Sequence, residues 1–190
     1  RLPADFSIIW RLAMNPHQTL PDDLAGAPRR AGGSTVDHAE IAKFEAMAEA
    51  WWDPTGKFRP LHRLNPVRIG FIRDRLAQGL GRDPSQPDPL RGLSILGLGC
   101  GGGLLAEPLA RLGGTVTGID AAERNIGIAR DHAEKMGVKV TYLPCTAEAL
   151  AAQGAQFDAV LAMEIVEHVA DLDTFIAASP DLLQPTGLLF

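Results

Sequence analysis

An apolar run, Leu93-Ser-Ile-Leu-Gly-Leu-Gly99, passes into Cys100-Gly-Gly-Gly-Leu-Leu105, and a second run, Thr115-Val-Thr-Gly-Ile, ends on Asp120. A buried strand, a glycine-rich turn opening a helix, and a strand closed by a carboxylate make one unit of a parallel α/β sheet. Gly99 and Gly101 remove β-carbons where the backbone must turn sharply and come close to a ligand. The alternation continues downstream. Strands are predicted at Leu93–Leu98, Thr115–Ile119, Lys139–Leu143 and Phe157–Met163, with a fifth beginning at Leu188–Phe190. Helices are predicted at about Leu104–Leu112, Asn125–Met136, Ala147–Ala152 and Val169–Ala178. The series predicts a Rossmann-like α/β fold, a parallel sheet with helices on both faces.

The same unit says what could bind. Asp120 is placed to accept hydrogen bonds from both hydroxyls of a ribose. The glycines run Gly99-x-Gly101-x-Gly103, and the dinucleotide fingerprint needs glycine where Leu104 stands. NAD is therefore disfavoured and S-adenosylmethionine favoured, the competing reading being a plain strand–helix turn with no ligand. A net charge of −5 over 190 residues, with a pI near 5.5, leaves no global basic field to attract nucleic acid. Cys100 and Cys145 lack metal-ligand spacing and fit a reducing compartment. Cys100 reads as a small filler in the turn rather than a nucleophile.

Residues 1–33, rich in Pro, Ala and Gly, read as a flexible lead-in. The chain opens on Arg1, which suggests a fragment or an over-extended reading frame, with Met14 a natural start. Arg1 to Ala13 has no sustained apolar core of a secretory signal. From residue 34 onward one domain is expected, made of N-terminal helices (37–80), a linker (81–89) and the α/β core (92–190). The first helix starts after Asp37 or Thr35 as cap, carries Ile41, Phe44 and Ala48 on one face, and runs into Trp51-Trp-Asp-Pro-Thr-Gly56. The second covers Pro66 to about Leu80, with Pro66 suited to its first turn.

Several segments together are similar to one family, the ubiquinone-biosynthesis O-methyltransferases, class I enzymes that use S-adenosylmethionine to methylate polyprenylated hydroxyphenols and catechols. They are Val36-Asp-His-Ala-Glu-Ile-Ala-Lys-Phe-Glu45, Trp51-Trp-Asp-Pro54, Leu61-His-Arg-Leu-Asn-Pro-Val-Arg68, the glycine turn, Val116-Thr-Gly-Ile-Asp120 and Met163-Glu-Ile-Val-Glu-His-Val169. The resemblance implies that Gly99, Gly101 and Asp120 bind the cofactor, with Arg68 near its methionine carboxylate and Met163 against its adenosine. It also implies a lipid-like substrate, a place at the cytoplasmic surface of the inner membrane, and contact with a ubiquinone-biosynthesis complex. A cofactor-weak scaffold subunit, or a methylase of another small phenol, are the alternatives.

Glu164, Glu167 and His168 are predicted to share one face of a helix following the fourth strand, at positions i, i+3 and i+4. Two carboxylates and an imidazole suit a divalent metal such as Mg²⁺ or Zn²⁺. Bound to both oxygens of a catechol, a metal would lower a phenol pKa from about 10. The alternatives are His168 as a metal-free general base, or an acidic first turn favouring the helix dipole. Trp51 and Trp52 are either packing anchors or a wall for an aromatic substrate. His38 and His62 read as exposed or structural.

Two departures from the family stand out. Where it has an acid at the end of the first strand, this chain has Gly97, which puts cofactor affinity in doubt. The superfamily's sheet ordinarily has seven strands, and the last two are absent here, so the pocket is expected to lack a wall and this piece to be poorly active alone.

Overall fold

The computed structural model describes residues 35–190; the predicted lead-in and its Met14 start lie outside the described residues. The first helix, α1 (His38–Glu45), is capped by Asp37, whose Oδ1 accepts from the amides of Ala39 and Glu40 at 2.8 and 3.2 Å. Those bonds satisfy two of the donors every helix start leaves free. The helix does not run on to Trp51. A 3₁₀ turn at Ala48–Ala50 takes over, and its threefold geometry eclipses Ala48 and Trp51 so that both are buried.

Helix α2 (Arg59–Gly79) begins seven residues before the predicted Pro66. Pro60 occupies its first turn, and Pro66 lies in its interior. An internal proline costs about 3 kcal/mol. Here the helix continues because Asn65, Arg68, Ile72, Leu76 and Ala77 are all buried on its inner side.

The core is a five-stranded parallel sheet ordered β3-β2-β1-β4-β5. Its strands are β1 (Ser94–Leu98), β2 (Thr115–Asp120), β3 (Thr141–Pro144), β4 (Phe157–Leu161) and β5 (Leu183–Leu189). Between them run α3 (Ala106–Arg111), α4 (Glu123–Lys135), α5 (Ala147–Ala151) and α6 (Leu172–Ala178). Alternate residues of each strand feed opposite layers. Ile95 and Val116 pack with Ile72, Leu76, Leu109 and Ile126, while Leu96, Leu98 and Ile119 pack with Leu150, Phe175 and Leu182. A third cluster, Ala48, Trp51, Phe58 and Leu104, docks the N-terminal segment onto the sheet.

Predicted boundaries also move within the α/β core. Strand β4 ends at Leu161 instead of Met163, where pairing with β1 stops at Gly97 and Glu164 then adopts φ +59°. Helix α6 starts at Leu172, capped by Asp171, whose Oδ1 accepts from Thr174 N at 3.0 Å; Val169 is extended instead. Strand β5 starts at Leu183, well before Leu188. Its first half, Gln184 to Thr186, is exposed and includes Pro185, so it lacks the apolar signature of a buried strand.

Strand order reverses between β1 and β4, whose crossovers lead to opposite sides. In open α/β sheets a ligand crevice forms at that point, outside the carboxyl ends of the strands. Gly99 and Met163 follow the ends of β1 and β4, and Asp120 closes β2 beside them.

Candidate functional site

The turn after β1 needs its glycines on two counts. Gly99 and Gly101 adopt φ of +59° and +53°, and a β-carbon would run into Ile165 at the first and the Trp51 ring at the second. The amide of Cys100 donates to Ile119 O at 2.9 Å, and that of Gly101 donates to Asp120 Oδ2 at 2.8 Å. Asp120 Oδ1 accepts from Ala122 N at 2.8 Å and more weakly from Asn125 Nδ2 at 3.5 Å. One carboxylate therefore ties the glycine turn to the loop opening α4. Burial pushes the Asp120 pKa above the usual carboxylate range, against the pull of those hydrogen bonds.

An open cleft of about 800 Å³, solvent at its mouth included, lies above this pair. Gly99, Gly101, Asp120, Asn125, Glu164 and His168 line it. Phe44 and Trp51 close it from the N-terminal side. The predicted cofactor residues Gly99, Gly101 and Asp120 are thus brought together. A nucleoside fits them: glycine backbone for close approach, and a carboxylate set to receive paired hydroxyls.

Arg68 and Met163 line a smaller cavity beside it, together with Gly97, Gly99, Trp51 and Glu164. Met163 therefore sits with Arg68 rather than in the main cleft against an adenosine. Arg68 is buried; its Nη2 donates to Asn65 Oδ1 at 3.0 Å, and Asn65 in turn donates from Nδ2 to Leu104 O at 2.6 Å. Its Nε has no hydrogen-bond partner among the described residues. Burial lowers the Arg68 pKa, partly countered by the Glu164 charge. A buried guanidinium with an unmet donor suits the carboxylate of an amino-acid-like ligand.

Glu164, Glu167 and His168 do not form the predicted helical face. Glu164 sits in left-handed backbone, and Val166–His168 is a single 3₁₀ turn with a period of three, so i, i+3 and i+4 no longer converge. Among the described residues no group of three or more His, Cys, Asp or Glu is arranged to hold a metal ion. His168 instead turns Nδ1 to Glu40 Oε2 of α1 at 2.9 Å, and its Nε2 stands 3.9 Å from Glu167 Oε1. As arranged, these three side chains do not converge as a donor set for Mg²⁺ or Zn²⁺.

Both tryptophans anchor the N-terminal segment, and Trp51 is also a wall. Trp51 stacks on Phe58 at 3.8 Å, donates Nε1 to Asn125 Oδ1 at 2.9 Å, and lines both cavities. Trp52 donates Nε1 to Gly102 O at 2.9 Å and stacks on His132 at 3.4 Å, while His132 Nδ1 meets the buried Glu107 Oε1 at 2.8 Å. Sequence reasoning singled out none of Glu40, Asn65, Glu107, Asn125 or His132. His62 is structural, bonding through Nε2 to Trp51 O at 2.9 Å, and His38 is exposed. Burial pushes the Cys100 thiol well up, as befits a filler rather than a nucleophile.

With this geometry in view, residues 96–190 match the family described as a methyltransferase domain. The chain belongs to that family. Proteins called ubiquinone biosynthesis O-methyltransferase resemble it over most of its length. That of Sinorhizobium fredii is 57% identical over 157 residues, covering 83% of this chain and 63% of the relative. That of Dinoroseobacter shibae is 60% identical over 155 residues, covering 82% and 62%. The chain thus spans under two thirds of the length of these curated relatives. Among solved structures, magnesium protoporphyrin IX methyltransferase of Synechocystis PCC 6803 with bound S-adenosylhomocysteine superposes with a TM-score of 0.55. It has 23% identity and covers 75% of this chain and 64% of that one. The same enzyme with bound S-adenosylmethionine gives 0.54 at 21% identity, covering 80% and 75%. At that identity the likeness establishes the class I methyltransferase fold. Among the described residues no helix is long and apolar enough to cross a membrane.

Proposed function

We propose that this methyltransferase domain binds S-adenosylmethionine and serves O-methylation of a polyprenylated phenol or catechol in ubiquinone biosynthesis. The observation that carries the reading is the Asp120 carboxylate, held 2.8 Å from the glycine-turn amide of Gly101 at the sheet's switch point. The names and identities of the relatives support the substrate class. Gly99, Gly101 and Asp120 would hold the nucleoside, and Arg68 the methionine carboxylate, beside Met163. When bound, the cofactor supplies a methyl group on a sulfonium, which leaves with a neutral thioether behind.

His168 serves as the general base in this reading. It lines the cleft with Gly99 and Asp120, and an imidazole there can take the proton of a phenol hydroxyl as its oxygen becomes the nucleophile. Phe44 and Trp51 offer flat apolar surface to the ring. An isoprenoid tail would bring the protein to the cytoplasmic face of the inner membrane, beside other enzymes of the same assembly. Gly97 favours the second reading, a cofactor-weak scaffold subunit, because no acid stands there to meet the cofactor's methionine end.

Calorimetric titration of S-adenosylmethionine, followed by transfer of its labelled methyl group to a polyprenyl catechol, tests the proposal. Micromolar binding, about −8 kcal/mol, with a labelled aryl methyl ether is expected. Binding of the protein to its quinone-synthesising partners without cofactor binding or transfer would establish the scaffold reading instead.

A further inference from the structure

Trp51 touches both parts of the site that would receive a nucleoside. Its ring fills the space where β-carbons on Gly101 and Gly102 would stand, so it packs directly on the glycine turn. Its Nε1 donates to Asn125 Oδ1 at 2.9 Å, and Asn125 Nδ2 lies 3.5 Å from Asp120 Oδ1. The three residues come from the end of the N-terminal 3₁₀ turn, the first turn of α4 and the last position of β2. Trp51 is 7% exposed and Asn125 2%, so neither can exchange its partner for bulk water. Phe58, stacked on the indole at 3.8 Å, keeps it in place.

The chemistry of the three groups gives this series a direction. An indole N–H only donates, so the end of the Asn125 amide that faces it must be the oxygen. An ionised carboxylate only accepts, so the end that faces Asp120 must be the amino group. Both demands select one amide orientation. Without the indole donor the amide is free to turn its oxygen toward Asp120, setting two acceptors against each other. At 3.5 Å the contact to Asp120 is long, and it adds to the Gly101 and Ala122 amides rather than replacing them. It also helps to pull the Asp120 carboxyl back toward its ionised form, against the effect of burial. We propose that Trp51 and Asn125 are positioning residues for the ribose carboxylate: the indole N–H fixes the Asn125 amide, whose Nδ2 then holds Asp120 as an acceptor for the ribose hydroxyls. The inference deepens the proposed cofactor site and rests on Asp120 as its ribose carboxylate. It makes the N-terminal segment a determinant of cofactor recognition, because the indole that docks the segment also orients the amide behind the acceptor.

The test is calorimetry on the full chain with two ligands, S-adenosylhomocysteine and its 2′-deoxy analogue, which lacks one of the ribose hydroxyls. Trp51→Phe keeps an aromatic ring against Phe58 and removes the donor, and Asn125→Leu keeps the volume and removes both polar ends. Each is expected to weaken S-adenosylhomocysteine about 5-fold and the deoxy analogue by less than about twofold, so the preference for the hydroxyl shrinks. The double variant should bind within about twofold of the weaker single one, because the two residues act in series. Equal losses toward both ligands, with the hydroxyl preference intact, would mean that the residues only pack the segment, and overturn the inference. Unchanged affinity in Trp51→Phe overturns it as well, and decides alone if Asn125→Leu does not fold. An Asp120→Asn that keeps both affinity and hydroxyl preference overturns the ribose reading of Asp120 and this inference with it. An Asp120→Asn that loses them, beside unaffected Trp51→Phe and Asn125→Leu, overturns the role of Trp51 and Asn125 alone.

Discussion

Replacing Gly97 by aspartate is expected to tighten S-adenosylmethionine binding by about tenfold, or 1.4 kcal/mol. The backbone tolerates the change. Gly97 lies inside β1 outside the left-handed region, and an added β-carbon meets only Cys100 Cβ at 3.9 Å and Thr117 O at 4.0 Å. The new carboxylate would enter the cavity that holds Arg68, where it can accept from the ammonium of the cofactor's methionine end while the Arg68 Nε, without a hydrogen-bond partner among the described residues, stays free for the methionine carboxylate. A hydrogen bond between charged groups of this kind contributes about 1.5–3 kcal/mol. Against this stand the desolvation of the carboxylate and repulsion from Glu164, which faces the same cavity. A net of about half the gross gain follows. The benefit to the ligand comes from a charge-assisted bond made only when the cofactor is bound, on a strand that holds the new carboxylate in place beforehand. Calorimetry on both proteins at one pH and ionic strength reads it, with Gly97→Asn as a control that supplies hydrogen bonds without charge and should gain less. Equal or weaker affinity in Gly97→Asp at an unchanged Tm would refute the reasoning.

Asp120→Asn should weaken S-adenosylmethionine binding at least tenfold, since an amide cannot accept from Gly101 N, Ala122 N and two ribose hydroxyls together; undiminished affinity would remove Asp120 from the site. The same pair of proteins carries a pH signature. Because the folded Asp120 pKa is raised by burial, wild type should gain stability relative to Asp120→Asn as pH falls from neutral through that pKa toward about 3.9, the ordinary value; melting curves of the unliganded proteins that stay parallel across that range would contradict it. Trp51→Ala removes the stack on Phe58 and the bond to Asn125, and should cost about 3–5 kcal/mol in denaturant unfolding, whereas a loss under 1 kcal/mol would make Trp51 a surface wall only. Glu107→Ala should cost about 1–3 kcal/mol by stripping His132 of its buried partner, with Trp52 emission shifting as its stacked neighbour loosens; unchanged emission and stability would argue against the Trp52–His132–Glu107 chain as a fastening.

The features legible in the sequence are local ones. The glycine turn and Asp120 fall within one strand–helix–strand unit, so spacing alone brings them together, and the Asp37 cap acts on amides two and three residues away. Ambiguity entered where two local signals competed. Pro60 and Pro66 both suit a helix start, and only the burial of Asn65 and Arg68 decides for the earlier one. The exposed first half of β5 carries no apolar pattern, because pairing to β4 rather than side-chain burial makes it a strand. The segment after β4 departs from the expected helix for a related reason. Glu164, Glu167 and His168 have helical spacing, but Glu164 in the left-handed region and the pull of Glu40 on His168 break the helix there. That pull comes from a residue 128 positions away, as does the hold of Trp51 on Asn125 from 74. No periodicity encodes such contacts. The N-terminal segment, which resembles a simple cover in sequence, thus supplies Glu40 to the histidine, Phe44 and Trp51 to the cleft wall, and, through α2, the buried Arg68. A site split this way makes its ligand affinity depend on docking between segments, so a change in the Trp52–His132 fastening should be felt at Asp120 without touching it.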